Sequence, residues 1–354
     1  MRLPEDLLHS LETVEGFDRK SFEEIHEGGA QVTSVRVNVK RGSLTDFVTQ
    51  TGSIVNKPGI ENHESSIGKT DDSLIENKNI LKASAIHDSR FTIHEQIPWT
   101  SSGYYLSERP SFTFDPLFHA GCYYVQEASS MFLEQAFRQL TNLSQPMKVL
   151  DLCGAPGGKT THIQSLISDD SLLVSNEVIK GRSHVLIDNI MKWGAANVIV
   201  TNNDPSAFSR LEGYFDVMVV DAPCSGSGLF RRDSDAIHEW SLNNVQLCSQ
   251  RQKRILADAL PALKENGLLV YSTCSYSREE DEDIADWLED EMGMQNLPLQ
   301  IGEDWNIVRT NAKKSNAEGY RFYPDKLKGE GFFLACFKKQ NSTNEPRIRS
   351  AKIE

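Results

Sequence analysis

Lys148-Val-Leu-Asp-Leu-Cys-Gly-Ala-Pro-Gly-Gly-Lys-Thr160 reads as a short buried strand that breaks into a glycine-rich turn and then into a helix from Lys159 to Ile167. The turn, Gly154-Ala-Pro-Gly-Gly158, lets the backbone come close to a ligand. Its spacing is neither the Gly-x-Gly-x-x-Gly dinucleotide fingerprint nor the Gly-x-x-x-x-Gly-Lys of a P-loop. Taken alone, such a turn is weak evidence, because glycine turns after strands are often only structural.

Downstream the same pattern repeats. Strands are expected at Leu172–Ser175, Asn197–Thr201, Phe215–Val220 and Gly267–Tyr271, with helices at Gly181–Lys192 and Ser241–Leu263 and a short helix capped by Asp204 with Pro205 in its first turn. Strands alternating with helices at this spacing predict an α/β fold with a parallel, doubly wound sheet. Gly331–Phe337 adds a final buried strand. In such sheets ligands gather beyond the carboxyl ends of the strands. One βαβ step after the turn, Asn176-Glu177 places a carboxylate where it can take both ribose hydroxyls, and Asn203-Asp204 ends the third strand where it can meet an adenine edge. Turn, Glu177 and Asp204 together point to an adenosine-containing cofactor.

Two of the six cysteines follow strands directly: Cys224 in Asp221-Ala-Pro-Cys-Ser-Gly-Ser-Gly228, and Cys274 in Ser272-Thr-Cys-Ser275. Fourth and fifth strands of a doubly wound sheet are usually neighbours, so the thiols are expected to converge on exposed loops and to do covalent chemistry. Buried, inert thiols are the reading for Cys122, Cys153, Cys248 and Cys336. No Cys-x-x-Cys pair occurs, so reduced thiols and no zinc are expected. Beyond Cys274, Ser277 and Glu280 have capping-box spacing, and the run Glu279–Asp283 would sit solvated on the positive end of a helix dipole that favours the Cys274 thiolate.

Upstream, residues 3–29 read as helical with a Gly28-Gly29 stop, and Val35–Lys40 as a half-buried strand with Arg36, Asn38 and Lys40 on its open face. Residues 41–95 turn polar and read as a long, partly disordered excursion, with a weak strand near Leu81–Ile86. A strand leading into a helix is expected from Ala120 to Leu140, and a polar tail closes the chain.

The chain has 354 residues, 39% hydrophobic and 25% charged, which suits a large domain plus a smaller one. No apolar run reaches the roughly 20 residues of a membrane span, and the acidic residues near Met1 do not suit a signal peptide, so a cytoplasmic location is expected. A net charge of −13 argues against indiscriminate nucleic-acid binding but leaves room for a local basic face, drawn from Arg36, Lys40, Arg41, Arg231, Arg232, Arg251, Lys253 and Arg254. For any single one of these cations, a solvated surface charge is the simpler reading.

Asp151–Thr160, Asp221–Gly228 and Ser272–Ser275, in that order, resemble the signature motifs of the Sun (RsmB/RsmF-type) family of RNA 5-methylcytosine methyltransferases. The likeness covers most of residues 97–337, including Gly121–Ala128, Arg321-Phe-Tyr-Pro324 and Gly329–Phe333, while Thr33–Asn38 is similar to the small RNA-binding lobe of RsmF-like members. The resemblance implies a Rossmann-like methyltransferase sheet at 109–340 with a smaller α+β N-terminal lobe at 1–108 and a tail at 341–354. It implies S-adenosyl-L-methionine bound by Cys153, Gly154, Ala155, Pro156, Gly157, Gly158, Lys159, Glu177, Arg182, Asp204 and Asp221. Cys274 would be the nucleophile, Cys224 would assist release, Asp221 would hold the base, and Lys159 would help position base or cofactor. The implied substrate is RNA, small-subunit ribosomal RNA ahead of tRNA, and the enzyme a metal-free monomer away from membranes. Two departures stand out: residues 41–95 look longer and more polar than the lobe requires, and the C-terminal RNA-binding domain of many RsmF-like relatives is expected to be missing. Gly154 stands where Ala is frequent, which a tight turn should tolerate.

Three rival readings fit the residues less well. A DNA cytosine methyltransferase would make Cys224 the nucleophile, yet leaves the Thr-Cys-Ser element idle. A non-catalytic RNA-binding assembly factor on this fold would not need both cysteines. A nicotinamide dehydrogenase lacks its glycine fingerprint and explains neither thiol.

Overall fold

The apolar runs around the glycine turn become strands because both of their faces find cover. In the computed structural model, which describes residues 3–29, 31–42 and 93–341, five of them form a parallel sheet: β5 (Lys148–Asp151), β6 (Leu172–Asn176), β7 (Val198–Thr201), β8 (Phe215–Asp221) and β9 (Leu263–Thr273). Val217, Val219, Leu268 and Val270 point to one face, toward Phe137 of helix Leu133–Leu140 and Ile163 of helix Gly158–Leu166. Met218, Val220, Leu269 and Tyr271 point to the other, toward Leu256 of helix Leu242–Ala259 and Leu288 of helix Glu282–Asp290. A strand buried on both faces loses its polar alternation, which is why these segments read as unbroken apolar runs.

The strand order is β7-β6-β5-β8-β9, so the chain winds outward in both directions from β5, and the crevice between the carboxyl ends of β5 and β8 is the switch point. This is the doubly wound sheet expected from the sequence. Beyond β9 the sheet continues with antiparallel partners: β13 (Phe332–Lys339) against β9, then β12 (Glu318–Phe322) and β11 (Val308–Asn311), with β10 (Met294–Asn296) beside the far end of β13. Only β13 was expected. The other three are short, and β11 alternates too weakly to announce a strand before its partner covers it.

A second sheet, in the order β2-β3-β1-β4, joins β1 (Ser34–Val37), β2 (Ile93–Gln96), β3 (Gly103–Leu106) and β4 (Tyr123–Val125). It therefore takes its last strand from beyond residue 108. The strand expected near Leu81–Ile86, most of the polar stretch 41–95 and the tail from 342 lie outside the described residues.

The single helix expected over 3–29 is two, Glu5–Leu11 and Arg19–Gly28. Gly16 takes a φ of 77° between them, and the Asp18 carboxylate accepts from the Ser21 N–H at 2.8 Å to start the second. Leu7, Leu8, Leu11 and Phe22 then pack on Phe230, Trp240 and Tyr276, beside the Cys274 turn. The long helix ends at Ala259 rather than Leu263, because Pro261 cannot continue the hydrogen-bond ladder and a 3-10 turn follows.

The expected open face of β1 is also corrected. Arg36 is 0% exposed: its guanidinium donates to Gln126 Oε1 at 2.8 Å, Thr161 Oγ1 at 2.5 Å and Ser165 Oγ at 3.0 Å, and lies over the Trp193 ring. Burial lowers its pKa to about 9. Asn38 is buried too, donating to the carbonyls of Gly121 and Trp193. The small sheet thus seats its polar side chains against helices Gly158–Leu166 and Lys180–Trp193 instead of against solvent. Arg231 likewise leaves the candidate basic face, being buried against Glu330 at 3.4 Å. Lys40, Arg41, Arg232, Arg251 and Arg254 remain exposed, and Lys253 is half-buried.

Candidate active site

Asp151 and Asp221 end the strands on either side of the switch point. After Asp151 the chain makes the glycine turn, with a cis Ala155–Pro156 peptide and Gly157 at φ 115°, a region closed to side chains with a Cβ. Helix Gly158–Leu166 then aims its first N–H groups at the crevice. The Gly154 N–H donates to the Asn176 carbonyl at 2.7 Å, and a Cβ at position 154 would lie 2.1 Å from Ser175 Oγ. Glycine is thus more than tolerated here, because the Ser175 hydroxyl fills the space an alanine methyl would take. Gly154→Ala is expected to destabilise the protein by about 1–3 kcal/mol and to weaken cofactor binding; adding Ser175→Ala should restore most of both, as read by thermal unfolding and donor titration.

Asp151 is fully buried; its Oδ2 accepts from Thr160 Oγ1 at 2.5 Å while Oδ1 has no partner among the described residues. Burial outweighs that hydrogen bond and raises its pKa from 3.8 to about 7. The native protein therefore holds this proton more tightly than the unfolded chain does. Its contribution to stability is fully present below about pH 4 and is lost as pH rises to about 7, on the order of 4 kcal/mol at most. Glu330, raised from 4.5 to about 7 by burial, adds a slope of the same sign. Asp151→Asn is expected to remove the Asp151 share, so that unfolding temperatures measured between pH 4 and 8 fall less steeply than in the parent.

The remaining cofactor candidates line the same edge. Glu177 is buried at the end of β6, its Oε1 accepting from the Ile179 N–H at 2.9 Å and its Oε2 lying 3.6 Å from Arg182 Nη1. Arg182 also donates to the Ala155 carbonyl at 2.8 Å, tying the glycine turn to the Glu177 carboxylate. Asp204 is exposed, and its Oδ1 accepts from the N–H of Ser206 at 3.0 Å and its hydroxyl at 2.7 Å, so its carboxylate is engaged as a cap. Cys153 is half-buried, and burial pushes its thiol far up.

Across the crevice, Lys159 Nζ lies 2.8 Å from Asp221 Oδ2, and Ser272 Oγ donates to Asp221 Oδ1 at 2.8 Å. Burial alone would lower the Lys159 pKa, but the attraction and hydrogen bond of Asp221 raise it overall, so this residue stays cationic. Pairing β8 with β9 brings the two thiols together: Cys224 Sγ and Cys274 Sγ are 3.0 Å apart. Both are half-buried, less open than the sequence suggested. The contact with Cys274, followed by burial, pushes the Cys224 thiol well above its usual value. The Cys274 backbone is pinned from behind: the Gly228 N–H donates to its carbonyl at 2.8 Å, and a Cβ on Gly228 would meet that oxygen at 2.7 Å.

Two expectations around Cys274 are corrected. The Ser277 side chain makes no cap, only a single 3-10 turn follows it, and the next α-helix starts at Glu282, so Cys274 does not sit on an α-helix N-terminus. Nor is the acidic run solvated: Glu280, Asp281 and Glu282 are buried. Arg321 answers two of them, donating to both oxygens of Glu282 at 2.6 and 2.5 Å and lying 3.0 Å from Asp281 Oδ2. The remaining one, Glu280, takes up the serines that follow the two cysteines. That role was missed in the sequence, although a Ser after each strand-end Cys was a visible signal. Among the described residues, no group of three His, Cys, Asp or Glu side chains could hold a metal, and no helix is long and apolar enough to cross a membrane.

Residues 139–338, more than half of the chain, match the family described as 16S rRNA methyltransferase RsmB/F. The chain belongs to the RsmB/F family. Residues 45–128 match the N-terminal domain of 16S rRNA methyltransferase RsmF, a match that takes in most of the polar stretch. Ribosomal RNA small subunit methyltransferase F of Psychromonas ingrahamii is 38% identical over 262 residues, covering 72% of this chain and 53% of that protein. The same enzyme of Aliivibrio fischeri is 35% identical over 262 residues, covering 72% and 54%. The chain thus spans about half the length of the curated relatives it matches. Among solved structures, a methyltransferase homolog protein from Pyrococcus horikoshii superposes with a TM-score of 0.66 at 27% identity, over 95% of this chain and 100% of that one. NSun6 from Pyrococcus horikoshii, crystallised with SFG, gives a TM-score of 0.57 at 27% identity, over 68% and 60%. The RsmB/F fold is thereby the one described above.

Proposed function

We propose that this chain transfers a methyl group from S-adenosylmethionine to carbon 5 of a cytosine in small-subunit ribosomal RNA, through a transient bond between Cys274 and carbon 6 of the base. The observation that carries the reading is the convergence of two thiols, 3.0 Å apart, beside the Lys159–Asp221 pair at the switch point of an RsmB/F sheet.

The residues of the crevice fit the cofactor. The glycine turn opens a helix onto the crevice, Asp151 Oδ1 is an orphaned acceptor among the described residues, and the buried Glu177 carboxylate is tied to the turn through Arg182. SFG, the S-adenosylmethionine analogue crystallised with NSun6, supports the same choice. S-adenosylmethionine, when bound, supplies a methyl group on a sulfonium for transfer to a carbon nucleophile. Cysteine 153, residues 154–158, Lys159, Glu177, Arg182, Asp204 and Asp221 are assigned to hold it.

Cys274 creates the nucleophile. As its thiolate adds to carbon 6, an S–C6 bond forms and the C5=C6 electron pair moves onto carbon 5. Asp221, held by Lys159 and Ser272, faces the ring-nitrogen side of the base, and the Lys159 cation offsets the charge that builds there. Once carbon 5 is methylated, loss of its proton sends the C–H electrons into a new C5=C6 bond, and the S–C6 pair leaves with Cys274. Cys224, in contact with the leaving sulfur, assists that elimination as the base that takes up the carbon 5 proton. The cytosine must be unpaired or turned out of its stack to reach the crevice. To this proposal belong the small sheet as an RNA-binding lobe, a monomeric state and a cytoplasmic location.

The test is methyl transfer from labelled donor to small-subunit ribosomal RNA, naked or assembled, with tRNA and DNA as competing substrates, followed by bisulfite mapping. Incorporation at one ribosomal cytosine is expected. Labelling of tRNA alone would move the target, and labelling of DNA, or of no nucleic acid, would overturn the reading.

A further inference from the structure

We propose that Glu280 is a positioning residue that fixes the distance between the two reactive thiols, acting through the serine that follows each cysteine. Cys224 and Cys274 lie past the ends of β8 and β9, so the sheet ladder itself does not hold their side chains at a set separation. The next residues do. Glu280 Oε1 accepts from the Ser225 N–H at 2.8 Å, and Oε2 accepts from the hydroxyls of Ser225 at 2.5 Å and Ser275 at 2.6 Å. Gln252 donates to Oε1 at 3.2 Å and to the Pro223 carbonyl at 3.1 Å, so the stretch just before Cys224 is gripped as well. The Tyr271 hydroxyl, 2.7 Å from the Glu280 carbonyl oxygen, steadies the carboxylate's own backbone.

Glu280 is 0% exposed, and no cation pairs with it among the described residues. A buried carboxylate is costly unless donors replace its water. Four donors do so here, and three come from the two loops that carry the thiols. One side chain therefore ties together loops 50 positions apart in the chain. The inference rests on the methyltransferase reading for why the distance matters: the thiol that leaves and the thiol that assists must stay within reach during elimination.

The experiment measures thiol proximity directly, with catalysis as a second readout. Diamide oxidises neighbouring thiols to a disulfide, taking up their two hydrogens as it becomes the hydrazine, and peptide mapping reads the Cys224–Cys274 link. Wild type is expected to close rapidly. In Glu280→Ala, closure should slow by about 100-fold through lost effective molarity, and by about tenfold in Ser275→Ala or Ser225→Ala, which also carry the test if the glutamate variant fails to fold. Glu280→Gln keeps an acceptor for the Ser225 N–H and offers an amide to two hydroxyls that can rotate to accept it, so it should close near the wild-type rate. In methyl transfer, Glu280→Ala should lower kcat with little change in KM, and Gln should rescue it. Closure at the wild-type rate in folded Glu280→Ala, or in both serine variants, would overturn the proposal. If wild type transferred no methyl group, the function would be wrong while the oxidation rates still judged the clamp.

Discussion

Cys274→Ala is expected to abolish methyl transfer, by about 10⁴-fold or more, on the order of 5 kcal/mol of lost transition-state stabilisation. Without the sulfur, carbon 5 of cytosine remains a ring carbon too poor in electrons to accept a methyl group. The variant should fold normally, since the loop is held by the Gly228 N–H on the residue 274 carbonyl and by Ser275 on Glu280, neither of which involves the thiol. Incorporation of labelled methyl into ribosomal RNA is the measurement. A 5-fluorocytidine transcript, which blocks the final proton loss, should trap wild type covalently and leave this variant free. Retained methylation would remove the covalent mechanism.

Cys224→Ala should have the opposite phenotype. Addition and methylation still proceed, but elimination is slowed by about 10²–10⁴-fold, the range of a lost acid–base group. An RNA–protein adduct that survives denaturing gels should therefore accumulate on unmodified RNA, and it should vanish in the Cys224→Ala, Cys274→Ala double variant. The 3.0 Å contact between the two sulfurs agrees with that division of labour. An exchange of the two phenotypes would exchange the two roles.

Much of this was legible in the chain. Every parallel strand was placed to within a few residues, because a strand covered on both faces writes itself as an apolar run and its ligand-bearing end as a break in that run. Convergence of the cysteines followed from topology, since consecutive crossovers put β8 beside β9. What failed were judgements about which polar side chains meet water. Arg36 alternates with valines and looks solvated, yet Trp193, Gln126 and Thr161 close over it from elsewhere in the chain. Glu280 has the spacing of a cap, yet its carboxylate accepts from serines on two loops that the fold brings to it.

The sequence by itself determined the architecture and the chemical identities at the strand ends, because burial periodicity and residue type are local properties of the chain. Only the tertiary structure decided how those groups are held: that Ser175 closes the space beside Gly154, that Arg321 lies between Asp281 and Glu282, and that Glu280 joins the thiol loops. The physical reason is that a buried polar atom is defined by the partner that replaces its water, and those partners are contributed by segments far away in the chain.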